Sequence, residues 1–384
     1  MARLYYLDSF RTAFDSSVAD VADGWVILEE SAFYPESGGQ PADFGKLSGL
    51  AVTDVQELAD GRIGHKVDGA LEQGARVTGS IDWDRRFDHM QQHTGQHLLS
   101  AVFEELFQIP TLSFHMGAAV STIDLDVASL TGAQLEQAEQ RANRVVFENR
   151  AVTVSFEDAA TATGLRKASE RTGELRIVTI TDVDRSACGG THVRATGEIG
   201  PILLRRTEKI RNATRLEFVC GGRAVRRARM DYDALSLVAR TYSSGVDEVA
   251  AVAVAQAERL QESEKARKKI AQELATLQGR AMYEAAAASS DGLRRYLHRG
   301  AVTDEVRAQA QAFVAGAKAV FVALSTDSVL IAASKNAGVN AGAVVKSVAT
   351  RGGGSSQMGQ GSIADAAAAE ERIRTELQWP KESI

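Results

Sequence analysis

The chain has 384 residues, 44% hydrophobic and 24% charged, with a net charge of −6; this is an ordinary globular composition, long enough for two or three separate cores. Two cysteines exclude a disulfide framework, no apolar run reaches the roughly 18–20 residues that span a bilayer, and the N-terminus lacks a signal peptide's apolar core. A cytoplasmic protein with no membrane attachment is expected, and its acidic balance argues weakly against a polyanionic partner.

Residues 1–84 read as mostly β. Short apolar or alternating runs at Trp25–Leu28, Gly45–Ser48, Ala51–Val55 and Arg76–Ile81 are separated by the turn pairs Asp23-Gly24, Asp60-Gly61 and Asp68-Gly69. A small barrel is the natural closure for so many short strands. Within it, Phe33-Tyr-Pro-Glu-Ser-Gly-Gly-Gln-Pro-Ala-Asp43 is too rich in Gly and Pro for a strand. Gly38 and Gly39 there would either let backbone approach a ligand or make a plain tight turn.

Residues 85–235 read as an α+β unit that opens on Asp88-His-Met-Gln-Gln-His93-Thr-Gly-Gln-His97 followed by an apolar run of helical period. His93 and His97 lie four apart, on one helix face, with Cβ atoms about 5–6 Å apart. A second cluster, Cys188-Gly-Gly-Thr-His192, follows the expected strand Arg176–Ile180, so its ligands sit on a turn. Three imidazoles and one thiolate in two close pairs favour Zn2+. His89 is eight residues from His97, roughly 12 Å along a helix, too far to share the ion. His115 could face the site, His65 and His298 read as ordinary, and Cys220 as a buried strand residue. Strands are expected across Phe114–Leu125 and at Val152–Phe156, and an amphipathic helix over Gly132–Glu148. Four protein ligands complete a tetrahedron, the usual arrangement of a structural zinc, so the residues alone leave a catalytic and a structural metal both open.

Arg205, Arg206, Lys209, Arg211, Arg215, Arg223, Arg226, Arg227 and Arg229 then fall in one span against only Glu208 and Glu217. Such a run is either a solvated face or a phosphate-binding surface. Residues 245–290 carry a three-four spacing through Leu260, Ile270, Leu274 and Leu277, as in a long helix or weak coiled coil. The last segment, 295–384, is expected to hold strands at Ala319–Leu324 and Val329–Ala333, a helix over about Asn340–Thr350, the glycine-rich stretch Arg351–Ser362 and a final helix, a small α/β domain.

At these motifs the chain resembles a known family. His93-x-x-x-His97 with Cys188-x-x-x-His192 is similar to the editing domain of alanyl-tRNA synthetase and of free-standing AlaX-type proteins. The 33–43 loop resembles the glycine motif of the preceding barrel, and Val339–Lys346 with Arg351–Gly361 resemble the synthetase's C-terminal tRNA-binding domain. The resemblance implies the long AlaX form: an α+β multidomain protein with a β-barrel at 1–84, an editing domain at 85–235, a helical linker at 245–290 and a tRNA-binding or dimerisation domain at 295–384. It implies a zinc-dependent hydrolase of mischarged seryl-tRNA(Ala), and of glycyl-tRNA(Ala), without aminoacylation activity because no synthetase-sized catalytic region precedes the barrel. Alternatives are a non-catalytic tRNA-binding protein with structural zinc, an editing enzyme for another tRNA, as in threonyl-tRNA synthetase, and a hydrolase of free aminoacyl esters. By the same resemblance Thr111, with Ser113 as the alternative, would read the serine hydroxyl, and Gln96 is the other catalytic candidate. Gly38, Gly39, Arg205, Lys209 and Arg215 are the substrate-binding candidates, alanine tRNA the partner, and a homodimer through linker and C-terminal domain is expected.

Overall fold

The computed structural model describes residues 2–169 and 172–379; the positions 1, 170–171 and 380–384 of the expected segments lie outside the described residues. The chain is a mixed α+β protein that divides into two compact units, Met1–Leu237 and Val238–Ile384.

The first unit opens with a closed six-stranded barrel. Its strands run in the order Ala13–Ala22, Trp25–Leu28, Ile63–Val67, Leu50–Glu57, Gly45–Leu47 and Arg76–Ile81 before pairing back to the first. Phe14, Val18, Leu28, Phe33, Leu47, Val55 and Val77 fill the interior. The strands at Ala13–Ala22 and Ile63–Val67 have weak sequence signals because inward positions carry Ser16, which accepts a bond from Glu30 N, and His65. The His65 ring is satisfied inside the barrel by Ser31 Oγ at 2.8 Å and the Val26 carbonyl at 2.9 Å.

Asp82 then caps the helix Trp83–Phe107, its carboxylate accepting from Arg85 N, and Gln108 ends it in the left-handed region at φ 57°. This helix carries His93 and His97 and is buried nearly all round from Arg86 to Phe103. It packs in one core with the helix Gly132–Glu148, which starts on a Thr131/Gln134 capping box. Gly95 in its middle has a packing reason: a Cβ there would meet Cys220 Sγ at 2.3 Å. Around it lie a four-stranded antiparallel sheet (Ile202–Ile210, Ala213–Cys220, Ser121–Leu125, Thr111–Met116) and a three-stranded one (Val152–Asp158, Glu174–Ile180, Asp184–Ala187).

In the second unit the helix Val249–Ala285 packs on the helix Asp304–Val314, where the bare backbone of Gly279 meets the Gln309 carbonyl. The expected apolar seam, Leu260, Ile270, Leu274 and Leu277, is exposed. A five-stranded sheet follows in the order Arg294–Arg299, Ala319–Leu324, Ser328–Ala333, Met358–Ser362, Arg351–Gly354. The glycine-rich stretch forms its last two strands, a hairpin. Among the described residues no helix is long and apolar enough to cross a membrane.

Candidate metal centre and its cavity

The helix and the turn after Asp184–Ala187 bring His93, His97, Cys188 and His192 together, with their ligand atoms all within 4.8 Å of one another. Cys188 Sγ lies 3.5 Å from His93 Nε2 and 3.3 Å from His192 Nε2. Ligand bonds of about 2.0–2.3 Å around a tetrahedral ion put neighbouring donors roughly 3.4–3.6 Å apart, so the spacing fits one metal ion. The far nitrogen of each imidazole is held by an oxygen: His93 Nδ1 by Gln40 Oε1 at 2.8 Å, His97 Nδ1 by Asp184 Oδ2 at 2.8 Å, and His192 Nδ1 by Thr94 Oγ1 at 3.1 Å. That arrangement leaves the three Nε2 atoms for a cation and fixes the rings.

Electrostatics favour the ligand forms of two members. Burial works against charge on Cys188, but His93 and His192 outweigh it and hold the thiol well below its usual range. Burial pushes His192 down to about 3, reinforced by the charge of His93. His97 is driven the other way: burial lowers it, yet the Asp184 and Cys188 contacts push it up to about 9.

The turn itself is clamped. Arg176 donates through Nη1 to the carbonyls of Cys188 and Gly190 and through Nε to that of Tyr6. Gly190 owes its identity to space: an added Cβ would lie 2.1 Å from His93 Cε1 and 2.4 Å from its Nδ1. Neither Gly189 nor Gly190 has a positive φ, so the bend needs no left-handed residue.

His93, His97 and Cys188 form part of the wall of a cavity of about 780 Å³. Gln96, Phe114, Tyr34, Tyr6, Arg166 and Lys167 also line it. Gln96 is thus at the cavity, its Nε2 donating to Ser100 Oγ at 2.8 Å. Thr111 is not in the wall; it donates to the same Ser100 Oγ at 2.7 Å and reaches the cavity only through Ser100 and Gln96. A register shift at Asp124/Leu125 puts Thr111 on the face of Phe114. Ser113 points to the opposite face, to Asp124, and the exposed His115 does not line the cavity. His89 is buried apart from the cluster, its Nδ1 without a partner among the described residues, and is pushed down to about 3 by burial and by Arg85 and Arg223.

Of the substrate-binding candidates, Gly38 lines the cavity, whereas Gly39 packs on the Phe114 carbonyl, 2.6 Å from where its Cβ would be. Arg205, Lys209 and Arg215 do not line it. Much of the basic run is neutralised: Arg205 and Arg227 pair with Asp231, Arg206 with Glu217, Arg215 with Asp124 and Arg223 with Asp88. Sequence reading passed over Tyr6, Arg166, Lys167 and Arg176 as cavity residues. The only signal was position, with Arg176 starting the strand that leads into the cysteine turn.

A closed six-stranded barrel is thus joined to an α+β unit that carries a histidine–cysteine cluster. Residues 6–85 match the family described as tRNA synthetases class II (A), and residues 175–216 the threonyl and alanyl tRNA synthetase second additional domain. The alanine–tRNA ligase of Pyrococcus abyssi (strain GE5 / Orsay) is 31% identical over 407 aligned positions, covering 97% of this chain and 43% of that protein. The alanyl-tRNA editing protein AlaX-L of Pyrococcus horikoshii is 36% identical over 239 positions (58% and 59%), and Aarsd1 of Danio rerio, also named an alanyl-tRNA editing protein, is 34% identical over 229 (58% and 55%). The chain is thus similar to alanine–tRNA ligases over nearly its whole length and resembles AlaX-type editing proteins over 58% of it. It spans about half the length of these relatives.

Proposed function

We propose that the chain is a zinc-dependent deacylase that hydrolyses the ester of mischarged alanine tRNA, seryl-tRNA(Ala) first and glycyl-tRNA(Ala) second. The observation that carries this reading is that three of the four ligand-type residues, His93, His97 and Cys188, are in the wall of a cavity rather than sealed in the core. Two relatives named as editing proteins support the substrate class. An alanine-sized pocket cannot strongly exclude glycine or serine, so correction at a second site is needed.

His93, His97, Cys188 and His192 would hold zinc, which when bound supplies a fixed positive charge beside the ester. The chain's own groups do the rest. Asp184, Gln40 and Thr94 orient the imidazoles. Gln96, its NH2 committed to Ser100, keeps its carbonyl oxygen to accept the serine hydroxyl. Tyr6 and Tyr34 wall the cavity, and Lys167, which forms no ion pair among the described residues, offers a cation to a phosphate of the acceptor end. In the second unit, the exposed seam of the long helix suits chain pairing in a homodimer, and the glycine hairpin suits tRNA contact. We assign the protein to the cytoplasm.

The closed ligand set favours a second reading, a tRNA-binding protein whose zinc is structural. One experiment separates them: zinc-loaded protein is incubated with seryl-, glycyl- and alanyl-tRNA(Ala) and a small seryl ester, and deacylation is followed. Release of serine from tRNA well above the other substrates is expected. No release from any of them would overturn the enzymatic reading, and equal release from the small ester would remove tRNA from it.

A further inference from the structure

The loop between barrel strands has a task that its glycines conceal. Ser37 and Gln40 exchange backbone bonds of 3.1 and 3.0 Å, and Gly38 and Gly39 between them sit at φ +57° and +82°. A two-residue turn with both central residues left-handed is open to glycine at little cost and to few other residues. Gln40 is delivered from the end of that turn, fully buried, to the far side of the chain.

Its amide makes three bonds there. Oε1 lies 3.1 Å from Thr191 N and 2.8 Å from His93 Nδ1, while Nε2 lies 2.9 Å from Thr191 Oγ1. The Thr191 backbone N–H can only donate, so the amide atom facing it must be the oxygen. That oxygen in turn can only accept, which puts the proton of neutral His93 on Nδ1 and leaves the Nε2 lone pair facing Cys188 Sγ, 3.5 Å away. The absent Cβ of Gly190 keeps this corner clear: an added methyl would sit 3.0 Å from Gln40 Oε1.

We infer that Gln40 is a positioning residue of the metal centre: it selects the His93 tautomer and ties His93 to the Cys188–His192 turn, so that a barrel loop completes the metal site. This rests on the metal-binding reading above. The loop is itself locked, since Asp43 takes the buried Arg86 guanidinium and Arg86 also donates to the carbonyls of Ser9 and Ala32.

The test compares wild type with Gln40→Met, which keeps the volume and loses the acceptor, and Gln40→Glu, which keeps the oxygen. Zinc affinity is read by competition with a chromophoric chelator, and ligand geometry by the visible absorption of the cobalt(II)-substituted protein. Outer-shell partners of metal-bound histidine are worth about 10–100-fold in affinity, so Gln40→Met is expected to lose that much and to change the cobalt spectrum, with Gln40→Glu close to wild type. Should Gln40→Met fail to fold, Gln40→Asn, which withdraws the amide by one methylene, must show the same loss. Wild-type affinity and an unchanged spectrum in Gln40→Met or Gln40→Asn would overturn the positioning role alone. Equal losses in Gln40→Met and Gln40→Glu would assign Gln40 to packing and overturn it too. A wild-type protein that takes up neither zinc nor cobalt would overturn the metal reading with it.

Discussion

Adding one methyl group at Gly190, and none at its neighbour, should dismantle the metal centre. The Gly190→Ala methyl would lie 2.1 Å from His93 Cε1 and 2.4 Å from Nδ1, whereas non-bonded carbon contacts settle at about 3.5–4.0 Å. The ring or the turn must therefore give way by more than about 1 Å, and the Gln40 carbonyl, 3.0 Å from the same methyl, blocks one escape. Metal–ligand distances tolerate only about 0.2 Å, so His93 would leave the ligand set or drag the turn with it. At Gly189 the nearest atom to an added methyl is the Tyr6 hydroxyl oxygen, 3.2 Å away, the far end of a side chain that can yield. Zinc affinity, measured against a competing chelator, should fall at least about 10–100-fold in Gly190→Ala, the scale seen when a ligand loses only its supporting bond. That is about 1.4–2.8 kcal/mol. Gly189→Ala should stay within a few-fold of wild type. Undiminished affinity in Gly190→Ala, or the same loss in both variants, would refute the argument.

Three further outcomes follow from buried groups. Arg86→Met leaves the fully buried Asp43 carboxylate without its cation and should cost about 3–5 kcal/mol in urea unfolding followed by tryptophan fluorescence, with Arg86→Met/Asp43→Asn costing less; equal costs would deny the pair. Gln96→Leu should lower kcat/KM on seryl-tRNA(Ala) by about 1–3 kcal/mol, and Thr111→Val by less because it acts through Ser100; the reverse order would mean that Thr111 touches substrate. The His65 imidazole, ordinarily 6.5, is pushed down to about 4 by burial, against the Val26 carbonyl bond that raises it; the unfolded chain takes up this proton first as pH falls, so the stabilisation is complete above pH 6.5 and drains away towards pH 4, by up to about 3 kcal/mol. His65→Gln should flatten that part of the pH–stability curve, and an unchanged slope would remove His65 as its source.

The four ligand-type residues were legible because each pair is local: four residues apart on a helix, four apart on a turn. Their supporters were not, since Gln40, Asp184 and Thr94 meet their histidines across 53, 87 and 98 residues. Gln40 stood in a stretch singled out for its glycines, whose use is to turn the chain beneath it. The place of Thr111 depends on a bulge, and one extra residue in a strand moves every side chain beyond it to the other face. The basic run stayed open between a solvated face and a phosphate surface because its counter-charges, Asp88, Asp124 and Asp231, come from other elements or from later in the chain. The long helix was visible from its Leu and Ile spacing, but the residues that pack it include Ala275 and Gly279, too small to stand out in a hydrophobic pattern.

The composition of strands and helices invites a cut near residue 84, between barrel and histidine helix, and the side chains argue against treating the two as separable parts. Among the connections that cross that point are Gln40 to Thr191 and His93, Asp43 to Arg86, the Ala42 carbonyl to Arg85, and the Tyr6 carbonyl to Arg176. Every one is polar and at least partly buried, so breaking it strands donors or acceptors rather than exposing a greasy face. Removing the barrel would free His93 Nδ1, unlock the guanidinium of Arg86 and take away the backbone anchor of Arg176, whose remaining bonds hold the carbonyls of Cys188 and Gly190. The histidine helix and the cysteine turn supply the ligand-type residues, and Asp184 and Thr94 support two of the imidazoles from the same part of the chain, but the segment before residue 84 supplies Gln40 to His93 and the Tyr6 carbonyl to Arg176. A metal bound by these four residues, which would need its ligands held within tenths of an ångström, would therefore depend on the whole of Met1–Leu237, and not only on the segment that carries the histidines and cysteine.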